Sequence, residues 1–460
     1  MDEQIGVGYA FHAEYCGFDS DPGQTFVCMD MSYRFTKKNH QEPFSPMDLS
    51  YMKRVKFYFT LLGAWPYREL YETYKEKPRQ LPLRNYKTLF VLWIGVLMSG
   101  ILYLISHIRK LSFFELGHSY ITVFMNFIAV QRVSTPIMTS YRKTVVDFVL
   151  KLHLFHHKHK SEYAMKVYKQ VDRISSLFSL SLYILMYVGI ILFQLMPLYN
   201  NIKSGAFKAT SHSIENGTRY EHSVYHYTPF EYHNFGYSII FIINCILVFD
   251  CSITFCTYDS LMTLIVFNVW GHLKILKYNL EHFPRPRAEG DTNSLNSIMY
   301  TEEELRNVQV LLKENIAYHI MITQFMSQAS KAFGPIMCFY YLFDQVSGCI
   351  LLLELSAMDM EAIVSYGILS VILLQQLIQI SAIFEIIGSK SETLKNAIYD
   401  LPWECMDAKN RKTLLIFLKN SQKAITLKAM GMIYVGVQTM AAIMKTSVSY
   451  FIMLRTFAEN

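Results

Sequence analysis

Apolar and polar positions alternate along this chain in blocks rather than singly, and the blocks predict helices. Tyr86–Ile105 (YKTLFVLWIGVLMSGILYLI) is a first apolar run, and about 20 such residues suffice to cross a bilayer. A second run, His118–Met138, is less oily; Asn126 and Gln131 within it predict contact with protein rather than lipid. The third is Ile174–Met196, which Pro197 is expected to end. Helical pattern then runs from Gly236 to Glu281 and again from Thr301 to Leu355. At 1.5 Å per residue each would be on the order of 65–80 Å long, well beyond a hydrocarbon core of about 30 Å. Each is therefore expected to span and then continue into water, as Trp270–Glu281 and Glu302–Tyr318, on either side of the breaker PRPRAEGDTN (Pro284–Asn293). The sixth span, Glu361–Ile387, continues through Ser389–Glu404, where Pro402 and Trp403 break it; a short amphipathic helix follows at Asp407–Lys423.

The seventh stretch, Ala424–Phe457, has a patterned surface. Ala442, Thr446, Ser449, Met453 and Thr456 recur at steps of four, three, four and three, so they share one helical face. A stripe of small and hydroxylated side chains packs tightly against a neighbouring helix. It also lines water when copies gather round an axis, with Met453 as a narrow apolar ring. The pattern alone leaves both readings open.

Composition agrees with a polytopic membrane protein. Of 460 residues 52% are hydrophobic and only 17% charged, where a soluble protein carries about a quarter charged. Residues 1–85 form a polar leader whose end, Phe57–Leu70, reads as an amphipathic helix broken at Pro66. This helix is expected at the membrane surface or on a cytosolic bundle. No basic stub followed by an apolar run opens the chain, so no cleaved signal peptide is expected. Lys and Arg concentrate in the leader, after the second and fourth spans and before the seventh, and are sparse in the alternate loops. That bias predicts a cytosolic N-terminus and an outward C-terminal tail. It also turns the loop 198–235 outward, as glycosylation of Asn216 in Asn216-Gly217-Thr218 requires.

The expected class is an all-α membrane protein with seven transmembrane helices, inverted topology and a cytosolic anchor built from extensions of helices four to seven. The expected division is a leader (1–85), spans one to four as a ligand-binding bundle (86–269), an anchor part and loop (270–318), spans five and six (319–387), a second anchor part (388–423), and the last helix with its tail (424–460).

Little points to catalysis: no Walker A loop, HExxH, GxSxG or CxxC pair occurs, and neither an enzyme nor a cofactor is expected. The eight cysteines mostly lie in apolar runs, where Cys is a small hydrophobe. The histidines of HLFHHKHK (His153–Lys160) read as a solvated charged face rather than a metal site. Asp250, Asp259, Asp344 and Glu354 lie in or near spans. They serve helix contacts or, in the alternative reading of a secondary transporter, ion coupling. A G-protein-coupled receptor is excluded: Asp172-Arg173 precedes span three, span seven has no NPxxY, and the outer loop 198–235 has no cysteine.

Several strings carry a family resemblance. KTSVSYFIMLRTF (Lys445–Phe457) resembles the end of span seven in insect odorant receptors, where a KxSxSYxxLL-like string recurs. TLLGAWPY (Thr60–Tyr67) resembles the family's motif before span one, and SETLKNAIYDLPW (Ser391–Trp403) its AIYxxxW element. His272 with Leu273–Leu276, His319 and Cys349 sit at family-like places. The resemblance implies a volatile-gated, non-selective cation channel assembled as a tetramer with an olfactory co-receptor. It further implies the plasma membrane of olfactory neuron dendrites, with lipid and permeant cations as the other partners and no nucleic acid. It places the gate at Met453, followed by Leu454, with Thr456 near the mouth. Arg455 departs from the pattern; helical phase sets it off the stripe, where it is expected to snorkel outward. A ligand-tuned subunit fits better than the co-receptor. The odorant or pheromone is expected in the outer half of the bundle, with Ser119, Tyr120, Phe124, Tyr183, Tyr187, Phe193, Phe241, Phe339, Tyr340 and Tyr366 as candidate lining residues.

Overall fold

The leader's amphipathic stretch folds as two helices, α1 (Ser50–Leu61) and α2 (Tyr67–Tyr74), reversed at Gly63, whose φ of 64° is open to glycine. They belong to a computed structural model that describes residues 45–74, 85–111, 113–208, 220–228, 234–286, 299–356 and 360–459, all within one unit spanning residues 43–460. Tyr51, Met52, Val55, Tyr58 and Phe59 of α1 are buried. This stripe faces the helices α6 (Glu162–Lys203) and α7 (Asn234–Glu281). Arg54 donates to Ser179 Oγ at 3.2 Å and to the Ser176 carbonyl at 2.9 Å, and Phe59 meets Tyr258 edge-on at 5.1 Å. Of the two placements expected for this stretch, the membrane surface or a helical bundle, α1 packs on helices, along α6 and α7.

The remaining helices are α3 (Tyr86–His107), α4 (Phe113–Ser134), α5 (Thr139–Asp147), α8 (Glu302–Ser356), α9 (Met360–Tyr399), α10 (Ala408–Ser421) and α11 (Val437–Glu459). Among the described residues five helices are long and apolar enough to cross a membrane, and α4 with α5 makes a sixth when that pair, bent by 71°, is counted as one span. Aliphatic residues of α3 and α6 point outward, among them Val91, Ile105, Leu177 and Ile191. In α7 every residue from Ile253 to Val269 is buried, as befits a helix that is apolar all round and wrapped by others. The densest core therefore surrounds the inner part of α7, between α1, α6, α8 and α9.

Three expectations are corrected. Pro197 does not end the third span: α6 runs through it to Lys203. The proline forfeits one backbone bond, which membrane helices tolerate when neighbours hold the last turn. Here Asn201 does so, donating to the Glu221 carbonyl and accepting from the Glu221 N–H, both at 2.9 Å. The last helix does not start at Ala424 but at Val437. The intervening chain forms a two-stranded hairpin, β1 (Lys428–Ala429) with β2 (Ile433–Tyr434), turned by Met430 and Gly431 at φ 48° and 76°. Finally, HLFHHKHK is only in part a solvated face: His156, His159 and Lys160 are exposed, but His153, Leu154 and Lys158 are buried. A π turn at Phe148–Leu152 swings this loop against α7. There Asn268 accepts from the Leu154 N–H at 3.0 Å, and His272 Nε2 donates to the Leu152 carbonyl while Nδ1 accepts from the Tyr318 hydroxyl at 2.7 Å.

Candidate functional site

Helix α11 is held at its N-terminal end and along one seam. Its first N–H, Val437, donates to Glu385 Oε2 of α9 at 3.1 Å, a carboxylate on a helix N-terminus where the dipole favours it. Gly436 makes this approach possible: a Cβ there would sit 2.6 Å from Glu385 Oε2. Three turns on, Gln345 of α8 grips the helix. Its Nε2 donates to Ser447 Oγ at 3.0 Å, its Oε1 accepts from the Thr446 hydroxyl, and its carbonyl accepts from Ser447 Oγ at 3.3 Å. Gly348 beside it leaves room for Ser447, whose Oγ would lie 3.2 Å from a Cβ.

Beyond that seam the helix is bare. Ile443 and Ser447 are buried, while Ala442, Thr446, Ser449, Met453 and Thr456 are exposed; this stripe centres about 120° round the axis from Ile443 and Ser447, with Thr446 at its edge in reach of Gln345. Met453 is 46% exposed, far above what a packed methionine shows. The side chain of Leu454 lies outside the described residues, as do that of Tyr366 and all of Asn216.

The candidate lining residues fall along several seams. Tyr183 and Tyr187 meet α1: Tyr58 stacks on Tyr183 with centroids 4.3 Å apart, and its hydroxyl is 2.8 Å from that of Tyr187. Phe124 and Phe339 belong to the α4–α8 seam, the first edge-on to Phe343 at 5.6 Å and the second to Phe127 at 5.5 Å. Phe241 stacks with Tyr237, and Phe193 with His118. Ser119 is buried and Tyr120 partly so. Above these lies the described piece of the long loop, residues 220–228, which is pinned to four helices. His118 Nε2 donates to the Ser223 carbonyl at 2.8 Å, Ser223 Oγ to Gln194 Oε1 at 2.9 Å, Asn244 Nδ2 to the Val224 carbonyl at 3.0 Å, and the Tyr227 N–H to Ser99 Oγ at 3.2 Å.

Tyr340, the ninth and last candidate with a described side chain, is wholly buried beside a charge cluster. Arg132, 0% exposed, lies 2.9 Å from Asp259 Oδ1, donates to the Phe255 carbonyl at 2.8 Å, and sits 4.2 Å over the Phe255 ring and 5.6 Å from that of Tyr340. Both carboxyl oxygens of the neighbouring Asp344, and Nε and Nη2 of Arg132, have no hydrogen-bond partner among the described residues. Asp259, which a transporter would present to its ion, is thus bound to an arginine. Sequence reasoning passed over Arg132, Gln345 and Glu385. Arg132 carried a legible signal, a fixed charge beside Gln131 at the end of an apolar run. The other two had none, because a glutamine or glutamate in a helix names no partner.

Comparison with known proteins places this architecture. The sequence pattern of the family described as 7tm Odorant receptor matches residues 112–448. Odorant receptor 22c of Drosophila melanogaster is 25% identical over 163 residues, 35% of this chain and 40% of that protein. Odorant receptor 67a of the same fly is 23% identical over 159 residues, 34% of this chain and 38% of its own length. The alignment thus spans about two fifths of each curated relative. In fold, the chain is similar to the insect olfactory receptor OR5 from Machilis hrabei, solved in complex with eugenol, with a TM-score of 0.66 and 14% identity over 88% of this chain and 97% of that one. The structure of the same receptor solved separately gives a TM-score of 0.68 over the same shares.

Proposed function

We propose a function from one premise: this chain belongs to the 7tm odorant receptor family. It is a ligand-tuned receptor subunit, a volatile-gated non-selective cation channel that works in a tetramer with olfactory co-receptor subunits in the plasma membrane. Seven crossings leave the N-terminus in the cytosol and the C-terminal tail outside. The inner extensions of the later helices form the anchor, and residues 86–269 supply most of the ligand-binding bundle. Copies of α11 surround the conduit, with Ala442, Thr446 and Ser449 along it, Met453 and Leu454 closing it, and Thr456 at the outer mouth.

The observation that carries this reading is the one-sided grip on α11. Apart from the Thr446 hydroxyl, which Gln345 holds, the small, hydroxylated stripe of this span leaves Ala442, Ser449 and Met453 exposed on its own chain, which calls for something other than lipid against it. Four copies round an axis supply water and one another. The aromatic side chains of the outer half, Phe124, Phe193, Phe241 and Phe339 with Ser119, Tyr120 and Tyr366 nearby, suit a guest of low polarity, because apolar burial contributes about 25 cal/mol per Å² without orienting charges. Tyr183, Tyr187 and Tyr340 border this region from its inner side.

Whole-cell recording with and without the co-receptor tests the proposal, using a volatile panel that begins with eugenol, the ligand held by the Machilis receptor. An odorant-evoked cation current that needs both subunits is expected. Surface-expressed protein that passes no evoked current in any combination overturns it.

A further inference from the structure

The C-terminal half of α8 carries a polar column turned into the protein. Tyr340, Asp344, Ser347, Leu351 and Glu354 follow at steps of four, three, four and three, so they share one helical face. All five are at most 6% exposed. The Tyr340 hydroxyl, both Asp344 carboxyl oxygens, the Ser347 hydroxyl and Glu354 Oε1 have no hydrogen-bond partner among the described residues. Buried polar atoms are nearly always paired, yet four of these lie within two turns of one helix.

The neighbouring faces of α8 are taken. Phe339 and Phe343 meet Phe127 and Phe124 of α4, Gln345 and Cys349 hold Ser447 of α11, and the Tyr341 hydroxyl is 3.5 Å from Ser381 Oγ of α9. The column itself borders the Arg132–Asp259 bridge, since the Arg132 guanidinium lies 5.6 Å from the Tyr340 ring. That bridge is neutral within itself. Asp344, one turn further along α8, has no lysine, arginine or histidine within 4.0 Å of its carboxylate among the described residues. The region therefore carries one negative charge that the fold does not balance. A buried carboxylate persists when it is paired or coordinates a metal.

We infer that Asp344, with the hydroxyls of Ser347 and Tyr340, binds a single monovalent alkali cation inside the bundle. All the donor atoms are oxygens, which suit hard cations. Ser347 is three residues from Asp344 and Tyr340 four, so their Cβ atoms are about 5–6 Å from that of Asp344, a spacing that one ion can bridge. A divalent ion fits less well: among the described residues no three acidic, histidine or cysteine side chains are grouped to hold a metal, and one carboxylate balances one charge. A protonated Asp344 would need an acceptor for its own O–H, and neither hydroxyl beside it serves as one. Held there, the cation is a fixed part of the bundle, separate from the proposed conduit along α11, and its binding does not depend on channel activity.

Thermal unfolding of the purified full chain in detergent tests the site, with sodium or potassium chloride titrated into N-methyl-D-glucamine chloride at constant ionic strength. An ion that binds only the folded chain raises its stability as the ion's concentration rises. The unfolding midpoint is expected to climb with the small cation, and D344N to abolish that dependence. S347A removes one ligand and keeps the carboxylate, so it should need at least about tenfold more cation for the same rise. E392Q, which alters an exposed carboxylate on α9, should leave the dependence unchanged. Equal midpoints in the small cations and in N-methyl-D-glucamine overturn the site and leave Asp344 a neutral acid. An undiminished dependence in D344N, or its loss in E392Q, overturns the site by assigning the effect to other carboxylates.

Discussion

At the scale of single residues, the most consequential contact is the pair Arg132–Asp259, closed to solvent at 2.9 Å. A buried ion pair is a poor source of net stability, but removing one partner strands the other charge at a cost of about 3–5 kcal/mol. Arg132→Gln is therefore expected to lower the thermal midpoint of the purified chain sharply, Asp259→Asn to do less, and the double variant to recover most of the loss. Additive losses would show that the two charges do not act as a pair. Met453 is a residue of the opposite kind, exposed and unconstrained by its own chain. If it forms the apolar constriction, Met453→Ala widens it and raises the current passed without odorant in cells that also express the co-receptor. An unchanged closed current at equal surface expression removes Met453 from the gate.

Elements impose a second set of constraints, clearest where α11 begins. The hairpin ahead of it rests on Gly334 of α8, where an added Cβ would come within 2.9 Å of the Lys428 carbonyl oxygen and 3.0 Å of the Met430 nitrogen. Both neighbours are backbone, so nothing flexible can yield. Gly334→Ala improves helix propensity by about 1 kcal/mol, yet it must displace the hairpin, and overpacking costs about 1–3 kcal/mol. The expected net effect is faster hydrogen exchange confined to residues 427–440, the segment that sets the angle of α11; unchanged protection there would mean that the hairpin is not seated on α8. The wedge α1 acts similarly on the other side of the bundle. Its Tyr58 fills the space beside Tyr183 and Tyr187, so under the proposed function an apolar guest would sit at other levels of the bundle.

For the whole molecule, the question is which way it faces. The cytosolic excess of Lys and Arg predicts that a tag before residue 45 stains only permeabilised cells, whereas a tag after Asn460 stains intact ones. The same orientation exposes Asn216 to glycosylation, so an endoglycosidase should shift the wild-type band and leave Asn216→Gln unmoved. A C-terminal tag hidden in intact cells would invert the scheme and with it the assignment of inner and outer halves. The long helices α7 and α8, 48 and 55 residues, are on the order of 70–80 Å. They join whatever happens at the outer side to the inner packing layer in single rigid rods.

Much of this was written in local pattern. Apolar runs with helical period predicted the helices and their excess length, because a bilayer demands continuous apolar stretches and internal backbone bonding wherever the chain crosses it. The strings at Thr60–Tyr67, Ser391–Trp403 and Lys445–Phe457 marked kinship without reference to contacts. Pairings between distant residues were another matter. That Arg132 meets Asp259, that Gln345 clasps Thr446 and Ser447, that Tyr58 enters the bundle, and that His153 is buried all depend on which helices lie side by side. A single chain position carries no record of its neighbour's identity. Pro197 and the stretch 424–436 show the same limit from the other direction: whether a breaker breaks was decided by Asn201 and Gly334, residues whose partners only the folded chain supplies.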